Sequence, residues 1–205
     1  MPNANRAITV LLGIIAFVLI GWTLHVGAPI LKPLAEIGAA IHIVAHAFGK
    51  ITLFFAAGAI YTASKKTELF QLRGIGRRMP ITMTAFTIGG LSMIGVPPTA
   101  GFVSKWYILA GAFQADNYVA LATIIASTAL NAAYFLPVLY RAWFRDAGPA
   151  WPAEHIPAAR FETAGALLWP PVVTATLALA AGLFAAAPYS PLEWADLIAR
   201  REYGL

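Results

Sequence analysis

Residues 81–113 read ITMTAFTIGGLSMIGVPPTAGFVSKWYILAGAF, and how this run is laid across a bilayer decides the fold. As one straight α-helix it would be roughly 50 Å long, against about 30 Å for a hydrocarbon core. It therefore has to be interrupted, and Gly95-Val96-Pro97-Pro98-Thr99-Ala100-Gly101 supplies the interruption. Consecutive prolines withdraw backbone donors and push the preceding residue out of the helical region, while glycines permit dihedrals closed to other residues. Backbone bared at bilayer depth persists only where protein or water satisfies it, which is how discontinuous helices build ion sites. Lys105 lies one turn beyond the break. A simple proline kink, or two short spans folded as a hairpin, are the competing readings.

The solvent is fixed by composition. Hydrophobic residues make up 60% of the 205, charged residues 11%, and mean hydropathy is +0.72, values of an integral membrane protein. There is no cysteine, hence no disulfide, thiol nucleophile or cysteine-based metal site. The net charge of +5 resides in loops between apolar spans, where membrane orientation accounts for it, and no basic stripe with interleaved aromatics suggests a nucleic-acid partner. Gly74-Ile75-Gly76 lacks the strand–helix setting of a nucleotide loop.

Upstream of the interrupted run, a span from about Glu36 to Thr62 carries His42, His46 and Lys50 at i, i+4 and i+8. That spacing places them on one slowly drifting stripe of a helix. An ionisable group at bilayer depth is costly and faces a polar pathway or a partner, so Lys50 and Lys105 are the leading functional residues. Lys50 sits near the middle of its span, too far from either interface to reach it readily by snorkelling. Plain packing of the histidines is the alternative; a zinc site lacks the intervening glutamate and a third ligand.

The rest follows in order. Ala7–Leu31 is an uncharged stretch long enough to span, with a signal peptide as the competing reading. Asn117–Tyr140 is a fourth span containing Asn131 and Pro137, with Asn131 read as glue between helices or as a water-pathway residue. Ala164–Ala187 is a fifth, and Tyr189–Leu205 an amphipathic tail with Trp194 and Tyr203. The expected fold is an all-α integral membrane bundle of about five transmembrane helices, the third discontinuous, plus a short interfacial C-terminal helix. Charge supports that count. With the third helix crossing once, Arg6, Lys65, Lys66, Arg73, Arg77, Arg78, Arg141, Arg145 and Arg160 share the inner side, while only Lys32, Arg200 and Arg201 lie opposite.

Three motifs together carry a family resemblance: His42-x-x-x-His46-Ala47-Phe48-Gly49-Lys50-x-x-x-Phe54-Phe55-Ala56-Ala57-Gly58, then Leu72-Arg73-Gly74-Ile75-Gly76-Arg77-Arg78-Met79-Pro80, then Gly95-Val96-Pro97-Pro98-x-x-Gly101-Phe102-Val103-Ser104-Lys105-Trp106. The chain resembles the antiporter-like subunits of proton pumps, most of all the D-type subunit of the multi-subunit Na⁺/H⁺ antiporters, specifically over residues 39–145. The resemblance implies a single transmembrane domain, residues 1–205, similar to the second of two inverted repeats and the C-terminal helices of such a subunit; the first repeat, with its acidic residue and its own broken-helix lysine, has no counterpart in this sequence. It implies a proton pathway through Lys50, Lys105, His42 and His46; beside it, the residues themselves put the helix break at Gly95, Pro97, Pro98 and Gly101 and leave Ser104 and Asn131 as candidate water or polar pathway residues. No cofactor and no metal are expected.

The expected function is the proton-conducting half-channel of a monovalent cation/proton antiporter subunit, a transporter component rather than an enzyme. It would sit in the inner (plasma) membrane beside other membrane subunits. An antiporter-like subunit of a redox-driven proton pump, and a structural or assembly segment without transport activity, are the alternatives.

Overall fold

The computed structural model describes residues 32–146 and 162–203; the expected span at 7–31 and most of the 141–162 loop lie outside the described residues. Every regular element among the described residues is helical. They are α1 (Lys32–Ser64), a 3-10 turn (Leu69–Leu72), α2 (Ile75–Arg78), α3 (Pro80–Ile94), α4 (Ala100–Gln114), α5 (Tyr118–Phe144), α6 (Gly165–Leu183) and α7 (Pro191–Tyr203). Helices α1, α5 and α6 contain segments long and apolar enough to cross a membrane, and α3 is a shorter apolar helix.

The interrupted third span is α3 followed by α4, with residues 95–99 between them. Register along α1 tells a broken rod from a hairpin. Gly38 of α1 lies against Ile108 of α4, His42 against Ser104, Gly49 against Met93 and Gly89 of α3, and Ile60 and Ala63 share a buried cluster with Met79 and Met83. The partner numbers fall steadily as the α1 numbers rise. The two halves therefore continue end to end, antiparallel to α1, and the hairpin alternative is excluded.

Packing at these contacts is by small residues. Ala56, Ala59, Ala63, Ala85, Gly89, Ala142, Ala175 and Ala178 are buried. Lipid tails are as apolar as side chains, so helices associate in a membrane through close backbone approach rather than expulsion of apolar surface. Helix α1 is central, touching α3, α4, α6 and α7, whereas α5 packs on α3 and α4 with most of its surface open.

Both ends are pinned. At one, Ile60, Ala63, Ile75, Met79, Met83 and Ala142 form a cluster, and the Gly74 N–H donates to the Arg141 carbonyl at 3.0 Å. At the other, Ala195 and Ala199 of the amphipathic α7 bury against Ile37 and Ile41 of α1, leaving Trp194, Leu197 and Ile198 exposed. An amphipathic helix held this way lies on the bundle with an apolar face toward the interface.

Helix α3 begins with Pro80 and has no side-chain cap from its own N-cap residue, Met79. Glu162, arriving from just before α6, serves instead: one carboxylate oxygen accepts the Ile81 and Thr82 N–H groups and the other accepts the Thr82 hydroxyl at 2.7 Å. These are backbone donors that a helix start leaves open, now satisfied by a charge that suits the positive end of the helix.

Candidate functional site

The break is built on a one-to-one correspondence of missing donors. In a continuous helix the carbonyls of Met93 and Ile94 would accept from the N–H groups of residues 97 and 98. Both are prolines and have none. Gly95, at φ 89°, turns the chain left-handed and its N–H closes on the Leu91 carbonyl at 2.9 Å, with the Val96 N–H on the same oxygen at 3.0 Å. The Thr99 hydroxyl and N–H both turn to the Val96 carbonyl, at 2.7 and 3.1 Å.

Lys105 takes the vacated positions. Its Nζ donates to the Met93 carbonyl at 3.0 Å, the Ile94 carbonyl at 2.8 Å and the Thr128 hydroxyl of α5 at 3.2 Å. An ammonium has three N–H donors, and here each meets an acceptor. The carbonyl end of α3 also carries the partial negative charge of a helix C-terminus, so the half-buried cation is held by dipole as well as by hydrogen bonds. Close approach is required twice. A Cβ on Gly101 would overlap the Ser92 carbonyl, and one on Gly182 of α6 would overlap the backbone of Pro98, Thr99 and Ala100, so α6 presses on the break from outside.

The α1 stripe runs toward this cradle. His46 and His42 stand with ring centroids 5.5 Å apart. His42 Nδ1 is 2.9 Å from the Ser104 hydroxyl, which is fully buried one residue before Lys105. Lys50, one turn beyond His46, sits midway along α1 with its side chain exposed and with no hydrogen bond or ion pair among the described residues. The structure thus sets Ser104 against His42, seats the Lys105 ammonium on Met93 and Ile94 beside the stripe, and leaves the Lys50 side chain exposed.

Asn131 Nδ2 donates back to the Ser127 carbonyl of its own helix at 2.9 Å. It shares a face with Thr128, three residues earlier. Thr128 and Glu162 are contributors that the sequence reading did not single out. A hydroxyl three residues before Asn131, and a lone carboxylate just before an apolar span, were the available signals. Ser92, also at the break, is buried with its hydroxyl toward Gly101 and without a hydrogen-bond partner among the described residues. Among the described residues no group of three or more His, Cys, Asp or Glu could hold a metal ion.

Residues 13–131, more than half of the chain, match the transmembrane family described as NADH:quinone oxidoreductase/Mrp antiporter. A curated relative, NADH-quinone oxidoreductase subunit N of Desulforudis audaxviator, is 41% identical over 112 residues, covering 55% of this chain and 22% of the relative. Subunit L of the same enzyme from Rickettsia bellii is 37% identical over 98 residues, covering 48% of this chain and 15% of the relative. The chain thus matches only 22% and 15% of these relatives' lengths. Among solved structures, the Mrp complex of a Dietzia species has a chain with TM-score 0.69 at 22% identity, covering 86% of this chain and 39% of that one. Respiratory complex I of Thermus thermophilus with bound aureothin gives TM-score 0.51 at 25% identity, covering 74% and 35%. With its helix bundle, its broken third span and this match, the chain is a membrane-embedded, antiporter-like protein that belongs to the NADH:quinone oxidoreductase/Mrp antiporter transmembrane family.

Proposed function

We propose that this chain forms one proton-conducting half-channel, acting within a multi-subunit complex of the inner (plasma) membrane, and that residues 1–205 are one domain corresponding to a second repeat and the C-terminal helices of such a subunit. The observation that carries this reading is the Lys105 ammonium seated on carbonyls bared by Pro97 and Pro98, on the helix half that packs against the stripe of His42, His46 and Lys50. Burial brings the charged and neutral forms of an amine closer in free energy, so such a group can exchange a proton with its neighbours. The cradle adds a mechanical consequence. A neutral amine has two N–H groups for three acceptors and a lone pair turned on a carbonyl oxygen, so deprotonation releases Lys105 from the break and reprotonation returns it.

Lys50 supports the multi-subunit part. An ammonium midway along a membrane helix, open on the surface of this chain, requires a covering protein face with polar groups at that depth. The partner is a further membrane segment or subunit of the complex, and the exposed Ile43, Ile51, Phe54 and Tyr61 offer it an apolar helix face.

The complex is of the cation/proton antiporter type, with this chain in the position of the D-type subunit, exchanging Na⁺ for H⁺; resemblance through all three motifs favours it. A redox-driven proton pump is the second reading, favoured by the names of the curated relatives. Proton flux in vesicles carrying the assembled complex separates them: the antiporter responds to a Na⁺ gradient alone, the pump to electron donor and quinone. Lys105→Ala and Lys50→Ala are each expected to cut the flux per assembled complex. Unchanged flux in both variants would leave a structural segment as the surviving reading.

A further inference from the structure

The hydroxyl of Ser104 has two neighbours and one proton. It lies 3.1 Å from the carbonyl oxygen of Gly101 and 2.9 Å from Nδ1 of His42, with the side chain fully buried. A carbonyl oxygen can only accept, and a hydroxyl offers one donor and two acceptor lone pairs. If Ser104 gives its proton to Gly101, the contact with His42 requires the proton to sit on Nδ1. If Ser104 gives its proton to His42 instead, two oxygens face each other at 3.1 Å with nothing between them. Only the first arrangement satisfies both contacts.

We propose that Ser104 is a positioning residue that holds neutral His42 in the Nδ1–H tautomer, and that it does not conduct protons itself. This rests on the proposed proton pathway and assigns the traffic through one of its members. For a hydroxyl to pass a proton onward, its own proton must move to a group that can take it. Ser104 directs its proton at the Gly101 carbonyl in the first turn of α4, which cannot become a proton carrier at ordinary cost. Protons therefore enter and leave His42 through Nε2 alone. The Nδ1 side is tied to the break, through the residue next to Lys105 and the carbonyl of the glycine that packs on Ser92. His42 acts as a two-way station on one nitrogen, with its ring orientation fixed by α4.

The test is nitrogen-15 NMR of the histidines in the assembled complex in lipid, with the His42 signals assigned by their loss in His42→Gln. The wild-type protein is expected to show neutral His42 with its proton on Nδ1, and an Nε2–H tautomer there overturns the proposal without any further variant. Ser104→Ala is expected to shift the tautomer ratio toward Nε2–H by up to about tenfold, the equivalent of one net hydrogen bond. Ser104→Thr, which keeps the hydroxyl, is expected to restore the wild-type ratio and flux. An unchanged ratio in Ser104→Ala refutes the clamp. The reading beneath it is checked separately. Lost flux in Lys105→Ala with an unaffected His42 tautomer in Ser104→Ala sinks the clamp alone, while unchanged flux in both Lys105→Ala and Lys50→Ala sinks the pathway.

Discussion

Replacing Thr128 by Val removes one acceptor from the Lys105 ammonium and little else, because the two side chains have nearly the same shape. At 3.2 Å this is the longest of the three bonds, the carbonyl contacts being 3.0 and 2.8 Å. Hydrogen bonds to charged groups in water-soluble proteins contribute about 1.5–3 kcal/mol, but interhelical polar contacts in membranes average about 0.6 and reach about 1.7. For a long bond to a cation between membrane helices, about 1 kcal/mol is the reasonable figure. Lys105→Met is a larger insult. It strands two backbone carbonyls whose natural donors Pro97 and Pro98 cannot replace, at about 1–3 kcal/mol each. In Lys105→Met the Thr128 hydroxyl has lost its partner, so adding Thr128→Val should then cost almost nothing. Thermal unfolding of the purified complex carrying each single variant and the pair gives the coupling, expected near 1 kcal/mol. If the two effects add to within about 0.3–0.5 kcal/mol, Thr128 is not part of the cradle and the coordination argument fails.

Other consequences are simpler to state. Gly182→Ala drives a methyl into the backbone of Pro98, Thr99 and Ala100 and should destabilise the complex by about 1–3 kcal/mol while lowering flux; wild-type unfolding temperature and flux would show that α6 does not brace the break. Glu162→Ala leaves the Ile81 and Thr82 N–H groups uncapped and should cost about 0.5–2 kcal/mol of thermal stability, and an unchanged unfolding temperature would remove it as the cap of α3. Ser92→Ala removes a buried hydroxyl that has no partner and should leave stability unchanged or raise it by up to about 1 kcal/mol; a clear loss would reveal a partner bound there. Lys50→Met should stabilise the isolated chain in detergent yet weaken co-purification of its membrane partners, and improved binding to those partners would refute a polar covering face.

Much of this was legible in the linear chain, and the reasons are local. A run too long for the bilayer, with two adjacent prolines between glycines, must break, and the break occurs at residues 95–99. Histidines at i and i+4 must share a helix face, and their rings stand 5.5 Å apart. Hydropathy sufficed for the described spans because in lipid each helix satisfies its own backbone and needs no neighbour to declare itself.

Tertiary structure decided what occupies the vacancies. Sequence marks Met93 and Ile94 as carbonyls without donors, but the lysine that meets them comes from eleven residues or more downstream and shares its third donor with α5, a choice made by packing rather than spacing. Glu162 reaches the start of α3 across 80 residues. Lys50 and Lys105 look alike on paper, each a mid-span cation. One is coordinated by broken backbone and the other is left exposed, because local chemistry dictates which groups lack a mate and only the folded arrangement brings one within 3 Å.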